Sequence, residues 1–173
     1  MGGGDRGAVS LARVLAYVFW HRPAPGAHAY EERLTAFHDV IGVESTWHRV
    51  SGLPWMGGLD GYEDWYLVDD WAQLGALNER AVSGARRGPH DAAAHAAGWS
   101  TAGVYALRRG NPALLGITHA AWRDRPAGVD AAQFEASAPG RSVWQRQMTL
   151  GPTPEYVLLG DRPLGGDPEV QYA

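Results

Sequence analysis

The hydrophobic positions form short runs of two kinds, which predict strands and helices in alternation. Residues 14–20 are β-branched and aromatic and are followed by a proline, as is typical of a strand. In residues 28–41 the apolar side chains recur three and four positions apart, which predicts an amphipathic helix that stops at Gly42. Further strand-like runs occur at residues 46–53, 62–68 and 101–107.

The helical pattern returns between the third and fourth of these strands. Asp70 is placed to cap a helix that starts at Trp71, and an alanine-rich helical piece follows at residues 90–97. The first 110 residues therefore have the order β-α-β-β-α-β, which is the ferredoxin-like arrangement. We predict an α+β fold with an antiparallel sheet that carries its helices on one face.

Residues of the first part recur in the same order in the second part. Each part contains Trp, Arg-Pro, Gly, an aromatic-Glu pair, the pattern Ser-x-Trp-x-Arg (residues 45–49 and 142–146) and a later Glu. This order predicts a duplication with a second, shortened β-α-β-β copy built from residues 118–123, 129–137, 142–150 and 155–159. The predicted organisation is a flexible leader (1–10), a first repeat (11–110), a shortened second repeat (111–160) and a loop-like tail (161–173).

A one-sided sheet needs a cover, and a second sheet of the same kind would enclose a barrel-like interior. Such a tandem resembles the dimeric α/β-barrel superfamily over nearly the whole chain. That superfamily includes cofactor-independent monooxygenases of antibiotic biosynthesis, EthD-like and NIPSNAP-like proteins, polyketide cyclases and haem-using members. The first helix, with its aromatic residues and His38 near its end, is similar to the EthD pattern. The shortened second copy leaves an edge open, which favours a homodimer.

Composition removes several kinds of chemistry. The chain has no Cys and its 15 basic residues are all Arg, so thiol nucleophiles, disulfides, Cys-bound metals and Schiff-base lysines are excluded. The net charge of −4, without a basic run, argues against nucleic acid, and no apolar run is long enough for a membrane span. We expect a cytoplasmic protein, and the Ala-, Gly-, Arg- and Pro-rich composition is typical of G+C-rich bacteria.

Two sets of residues are candidates for binding a ligand. Trp47 and Arg49 share one face of a strand with Ser45, and Trp144 and Arg146 share a face in the other copy. An arginine between two sheets requires a carboxylate or a ligand oxyanion, so the arrangement fits either a structural ion pair or a site for a planar, oxygen-rich molecule that stacks on Trp. The predicted substrate-binding residues are Trp47, Arg49, Trp65, Tyr66, Trp144 and Arg146.

Histidines supply the candidate bases. An imidazole near a carboxylate removes a proton from an acidic C–H or phenol, and we assign this role to His21, His38, His48 and Asp64. His90 and His95 are five residues apart, which does not match the zinc-binding spacing, and Gly-x-Gly-x-x-Gly and Gly-x-Ser-x-Gly motifs are absent, so no metal or nucleotide cofactor is expected.

The function expected from these features is that of a cofactor-independent oxygenase, cyclase or isomerase. Its small-molecule ligand would be an activated aromatic or polyketide-like substrate. Two alternatives remain open: a non-catalytic binding or structural protein whose barrel is filled by its own side chains, and a haem-binding barrel with an axial His.

Overall fold

The computed structural model describes residues 14–147, 151 and 153–172, so the predicted leader lies outside the described residues. Of the helices in this part of the chain, none is both long and apolar enough to cross a lipid bilayer. The strands are β1 (Leu15–Pro23), β2 (Ser45–Val50), β3 (Gly61–Val68), β4 (Ala97–Gly110), β5 (His119–Arg123), β6 (Ser142–Arg146), β7 (Tyr156–Gly160) and β8 (Glu169–Gln171). The α-helices are α1 (Tyr30–Ile41), α2 (Trp71–Ala81), α3 (Arg87–Ala96) and α4 (Ala131–Ser137).

All eight strands belong to one antiparallel sheet, in the order β2-β3-β1-β4-β6-β7-β5-β8. The two edge strands meet, because the ring of His48 on β2 stacks on Tyr172, directly after β8, with 3.7 Å between centroids. The sheet is therefore nearly barrel-shaped. The predicted α+β class with an antiparallel sheet is confirmed.

Aromatic side chains fill the inner face of this sheet. Trp20, Trp65, Trp122 and Trp144 are at most 1% exposed. The ring of Trp65 lies 6.3 Å from that of Trp122 and 6.0 Å from that of Trp144, centroid to centroid. Each such ring removes roughly 150–250 Å² from water, which makes this cluster a dominant source of stability. The barrel interior is thus a packed core.

The helices cover the outer face. The stripe predicted for the first helix is the buried side of α1, and the helix ends at Gly42, whose φ of 78° is the left-handed conformation that favours glycine. Helices α1, α2 and α3 lie over β1, β3 and β4, and the apolar side of α4 packs on the other half of the sheet through Phe134.

Strand β8 corrects the prediction for the tail, which the sequence assigns to loop. Residues 169–171 pair with β5, and Val170 is buried in the inner core. A strand of only three residues between prolines and glycines is too short to show an alternating pattern. The predicted homodimer depends on an open sheet edge where the second half of the chain lacks its last strand. Because β8 supplies a strand there, the homodimer remains a prediction without that support.

The pattern Ser-x-Trp-x-Arg does not mark equivalent positions. Trp47 on β2 packs on the outer face with α1 and α3, whereas Trp144 on β6 packs in the inner core. Side chains alternate between the two faces of a strand, so a match that equates an outward with an inward residue is out of register by one.

Candidate active site

A cavity of about 660 Å³ lies between the outer face of the sheet and helices α1, α2 and α3. This volume falls in the range of roughly 300–1,000 Å³ typical of small-molecule sites. The sequence prediction placed the ligand inside the barrel, but that space is filled by tryptophans, and the cavity is on the opposite side of the sheet. Most of its wall is apolar and includes Leu34, Phe37, Ile41, Leu74, Leu77 and Val104.

One end of the cavity carries a hydrogen-bonded chain of three side chains. Nε2 of His21 lies 2.9 Å from Oδ1 of Asp64, and Nδ1 of His21 lies 2.6 Å from the hydroxyl of Tyr30. In the neutral imidazole, Nε2–H donates to the carboxylate and Nδ1 accepts from the hydroxyl. The chain thus connects a buried carboxylate to a tyrosine that lines the cavity.

The second carboxylate oxygen of Asp64 contacts Tyr66 and His38. Oδ2 accepts a hydrogen bond of 3.0 Å from the hydroxyl of Tyr66 and faces Nε2 of His38 at 3.4 Å. Nδ1 of His38 lies 2.9 Å from Oγ of Ser45, and the His38 ring stacks on Tyr66 with centroids 4.9 Å apart. His38 does not line the cavity, so it supports Asp64 rather than facing a ligand.

Electrostatics fix the charge of this carboxylate. Burial alone would raise the pKa of Asp64, but the imidazoles of His21 and His38 outweigh it and lower the pKa to about 2. Asp64 is therefore ionised at neutral pH. Burial, and then the Asp64 charge, raise the pKa of Tyr30 and Tyr66, so both hydroxyls keep their protons.

Strand alternation explains why these residues meet. Phe19 of β1 pairs with Asp64 of β3, and His21 pairs with Tyr62, so His21 and Asp64 are diagonal neighbours on the outer face. Their sequence neighbours Trp20 and Glu63 point into the barrel core. The same short sequence therefore provides both the polar cluster outside and the packed core inside.

Tyr30 is positioned by an unusual backbone. Ala29, the residue before it, has a φ of 53° in the left-handed region, although it is not glycine. A residue held there costs on the order of 1–3 kcal/mol, and such conformations concentrate at functional sites. This conformation precedes the first turn of α1, which holds the Tyr30 hydroxyl against His21.

The two arginines predicted to bind an anion lie elsewhere. The Arg49 side chain is 68% exposed and pairs with Glu31 on α1. Arg146 donates to the main-chain carbonyls of Gly151, at 3.2 Å, and Thr153. Neither arginine lines the cavity, so the structure does not form an arginine clamp there.

The remaining candidates are also dispersed. Trp47 packs on the outer face beside the cavity without lining it, and Trp65 and Trp144 belong to the barrel core. His48 lies on the inner face, where burial lowers its pKa to about 4. The predicted site residues that the structure brings together are His21, His38, Asp64 and Tyr66.

Tyr30, Trp71 and His90 are among the cavity residues that were not predicted from the sequence. Tyr30 belongs to the apolar stripe of α1, and it differs from the other buried residues of that helix by its hydroxyl group. Trp71 begins α2 at the cavity with 53% of its surface exposed. His90 of α3 lines the cavity while its Nδ1 lies 3.0 Å from the carboxylate of Asp91. The spacing of His90 and His95 excluded a metal motif but gave no indication of a cavity position.

Among residues 14–147, 151 and 153–172, no three His, Asp or Glu side chains converge as metal ligands would. Comparison of the chain with protein-family models, with curated proteins and with solved structures gave no match. What the fold and the site define is a mixed α+β protein with a nearly barrel-shaped antiparallel sheet and a cavity under its helices.

Proposed function

We propose that this protein is a small-molecule enzyme that works without a metal or organic cofactor. The reaction class is that of an oxygenase, cyclase or isomerase acting on an activated aromatic or polyketide-like substrate. The observation that carries the proposal is the Asp64–His21–Tyr30 chain at the wall of a mostly apolar cavity. Removal of a proton from an acidic C–H or phenol is the step that these reaction types share.

The chain of hydrogen bonds defines a route for that proton. A substrate proton passes to the hydroxyl oxygen of Tyr30 while the proton of Tyr30 passes to Nδ1 of His21. The imidazolium that forms is stabilised by the ionised Asp64, 2.9 Å away. The raised pKa of Tyr30 suits this relay, since the hydroxyl is protonated before and after each transfer. Reversal of the transfer returns the proton to the product.

The energetics favour a functional reason for the cluster. A buried carboxylate flanked by imidazoles is often no more stabilising than apolar side chains of the same volume. A cavity of about 660 Å³, lined mostly by apolar side chains and partly open to solvent, lies against this cluster. Charged, hydrogen-bonded side chains at the wall of a mainly apolar cavity are typical of a small-molecule site.

We also propose that the two halves of the chain are tandem ferredoxin-like units of the dimeric α/β-barrel type. Support comes from the strand order, which is β2-β3-β1-β4 in the first half and β6-β7-β5-β8 in the second. Helices α1 and α4 follow the first strand of each half. The function drawn from that superfamily is an analogy of fold, so the site carries the argument.

A non-catalytic binding or structural protein with a self-filled barrel is the second candidate, and one observation favours it. The barrel is filled by its own tryptophans, as a structural protein would require. The haem alternative fits the geometry less well, because both ring nitrogens of His21 and of His38 lie within hydrogen-bond distance of neighbouring side chains.

Kemp elimination tests the base without knowledge of the natural substrate. In 5-nitrobenzisoxazole, a base removes the ring C–H proton, the N–O bond breaks, and a coloured nitrophenolate nitrile forms. We expect the protein to accelerate this reaction above free imidazole at equal concentration. His21→Gln, Tyr30→Phe and Asp64→Asn should each lower the rate by about tenfold or more.

The control is His95→Gln, which changes an exposed histidine of α3 and should leave the rate unchanged. Circular dichroism and urea unfolding establish that each variant is folded. Tyr30→Phe is the most conservative of the three, so its loss of rate cannot be assigned to a collapsed cavity. A rate equal to that of imidazole would contradict the proposed catalysis, and an acceleration that survives in His21→Gln would contradict the role of His21 as the base.

A further inference from the structure

The charges around the cavity point to the kind of ligand it accepts, an inference that rests on the proposed small-molecule site. The chain contains no lysine, and no arginine is found among the described residues that line the cavity. A carboxylate, sulfonate or phosphate buried there would meet no cationic side chain of fixed charge. Burying an unpaired anion costs several kcal/mol, which is more than the apolar walls readily offset.

The polar end of the cavity adds to this selection. Asp64 is a fixed negative charge that lines the cavity, so it repels an anionic ligand over a short, poorly screened distance. Its oxygens already meet His21, Tyr66 and His38. A ligand ammonium would have to break these contacts to reach the carboxylate, so a cation is not favoured either.

We infer that the cavity selects uncharged, flat apolar ligands with one hydrogen-bonding group and excludes carboxylates, phosphates and ammonium ions. The hydrogen-bonding group lies beside Tyr30 and His21. A ligand hydroxyl there donates to the oxygen of Tyr30, whose own proton is donated to His21. The apolar body lies along Leu34, Phe37 and Leu77. The half-exposed Trp71 provides an aromatic surface at the start of α2.

A matched series of probes tests this selection by calorimetry at neutral pH. 2-Naphthol is uncharged, 2-naphthoate is an anion of similar shape, and 2-naphthylmethylamine is a cation. We expect 2-naphthol to bind at least about tenfold more tightly than either charged probe. Binding of 2-naphthoate as tightly as 2-naphthol, or no binding of any probe, would overturn the inference.

A variant that adds a positive charge to the cavity tests whether the preference shifts towards the anionic probe. Asn78 lines the cavity from an exposed position on α2, so Asn78→Arg adds a guanidinium with little demand on packing. It should strengthen 2-naphthoate binding relative to 2-naphthol by about tenfold. Gln133→Arg places the same charge on the exposed side of α4 and should change neither affinity. Equal effects of the two variants would show that net charge, not the cavity, sets the preference.

Failure of this inference and failure of the proposed function give different results. Kemp elimination that depends on His21, together with equal binding of naphthol and naphthoate, leaves the enzyme and removes the charge selection. A strong preference for naphthol without Kemp elimination leaves the selection and removes the proposed base catalysis.

Discussion

Glu63 and Asp64 are adjacent in sequence, but their carboxylates serve opposite faces of β3. Asp64 faces the cavity, whereas Glu63 is fully buried in the barrel core. Glu63 accepts hydrogen bonds of 2.7 Å from the indole N–H groups of Trp20 and Trp65, and another from the hydroxyl of Tyr172. Burial raises the pKa of Glu63, and these donors oppose that rise. The carboxylate therefore organises the aromatic core and takes no part in the cavity.

Replacement of Glu63 by Gln tests this role. The amide keeps one accepting oxygen but turns an NH₂ group towards an indole or phenol donor, which leaves a buried donor without a partner. We expect a loss of about 1–3 kcal/mol in the free energy of unfolding, measured with urea and tryptophan fluorescence. Glu32→Gln makes the same chemical change at an exposed position of α1 and should stay within about 0.5 kcal/mol of the wild type. Equal stability of the two variants would contradict the role of Glu63.

Residue type alone suggested the acid–base candidates, whereas the strand pattern did not determine where they lie. The sequence names His21 and Asp64 as acid–base candidates because of their residue types and their neighbours Arg22 and Trp65. The alternation in β1 and β3, seen in the structure, places both on the outer face and their core neighbours on the inner face. Arg49 was misplaced because the pattern gives a shared face but not which face is inside. Tyr30 was missed because its contact with His21 depends on how α1 packs across the sheet, which no local periodicity specifies.

Helix α2 is the element whose stability we expect to control the cavity. Only Leu77 of α2 is buried, whereas α1 buries four residues, so tertiary packing holds α2 less firmly. Its start depends on Asp70, whose carboxylate accepts a hydrogen bond of 2.8 Å from the main-chain N–H of Gln73. Because α2 carries Trp71, Leu74 and Leu77 on the cavity wall, fraying of the helix opens the wall.

Asp70→Ala should remove about 1 kcal/mol of helix stability and increase hydrogen exchange in residues 71–81. Asp130→Ala is the matched control, because Asp130 caps α4 in the same way, with 2.7 Å to the N–H of Gln133. We expect Asp70→Ala to weaken 2-naphthol binding and Asp130→Ala to leave it unchanged. Similar effects of both variants on binding would show that the cap of α2 acts only through global stability.

Helices and strands were predictable from the sequence where the pattern of apolar residues extended over many positions. The stripe of α1, the cap at Asp70 and the four strands of the first half match the structure within a few residues. The short strand β8 was missed, and the repeat pattern aligned Trp47 with Trp144 across opposite faces. A shift of one residue moves a side chain to the other face of a sheet, and short motif matches do not determine the alignment to within one residue.

Across the whole molecule, the closure of the sheet couples the chain's two halves through titratable groups. His48 of β2 stacks on Tyr172 after β8, and Tyr172 in turn donates to Glu63. Burial lowers the pKa of His48 to about 4 from the ordinary 6.5, which outweighs the opposing effect of the Asp64 charge, and His38 lowers it slightly further. The folded protein therefore keeps this imidazole neutral at pH values at which the unfolded chain protonates it.

The sign of the resulting pH dependence follows from proton uptake. Between pH 6.5 and about 4 the unfolded state binds a proton at His48 that the folded state does not, so stability falls as pH falls. Asp64 affects stability at lower pH. Its pKa in the folded protein is about 2, below the ordinary 3.8, so its contribution to the free energy of unfolding is lost as the pH falls between these values. Glu63 has a raised pKa and opposes the trend of His48, since its folded form takes up a proton first.

Comparison of the wild type with His48→Gln isolates the histidine, because Glu63 titrates in both proteins. We expect urea unfolding at a series of pH values to show the wild type losing up to about 3 kcal/mol more than His48→Gln between pH 6.5 and 4. Below that window the two curves should run parallel, since the remaining loss through Asp64 is common to both. His95→Gln, at an exposed position of α3, should follow the wild-type curve throughout. Parallel curves for wild type and His48→Gln across the upper window would show that His48 is solvated, and hence that its stacking on Tyr172 does not close the sheet.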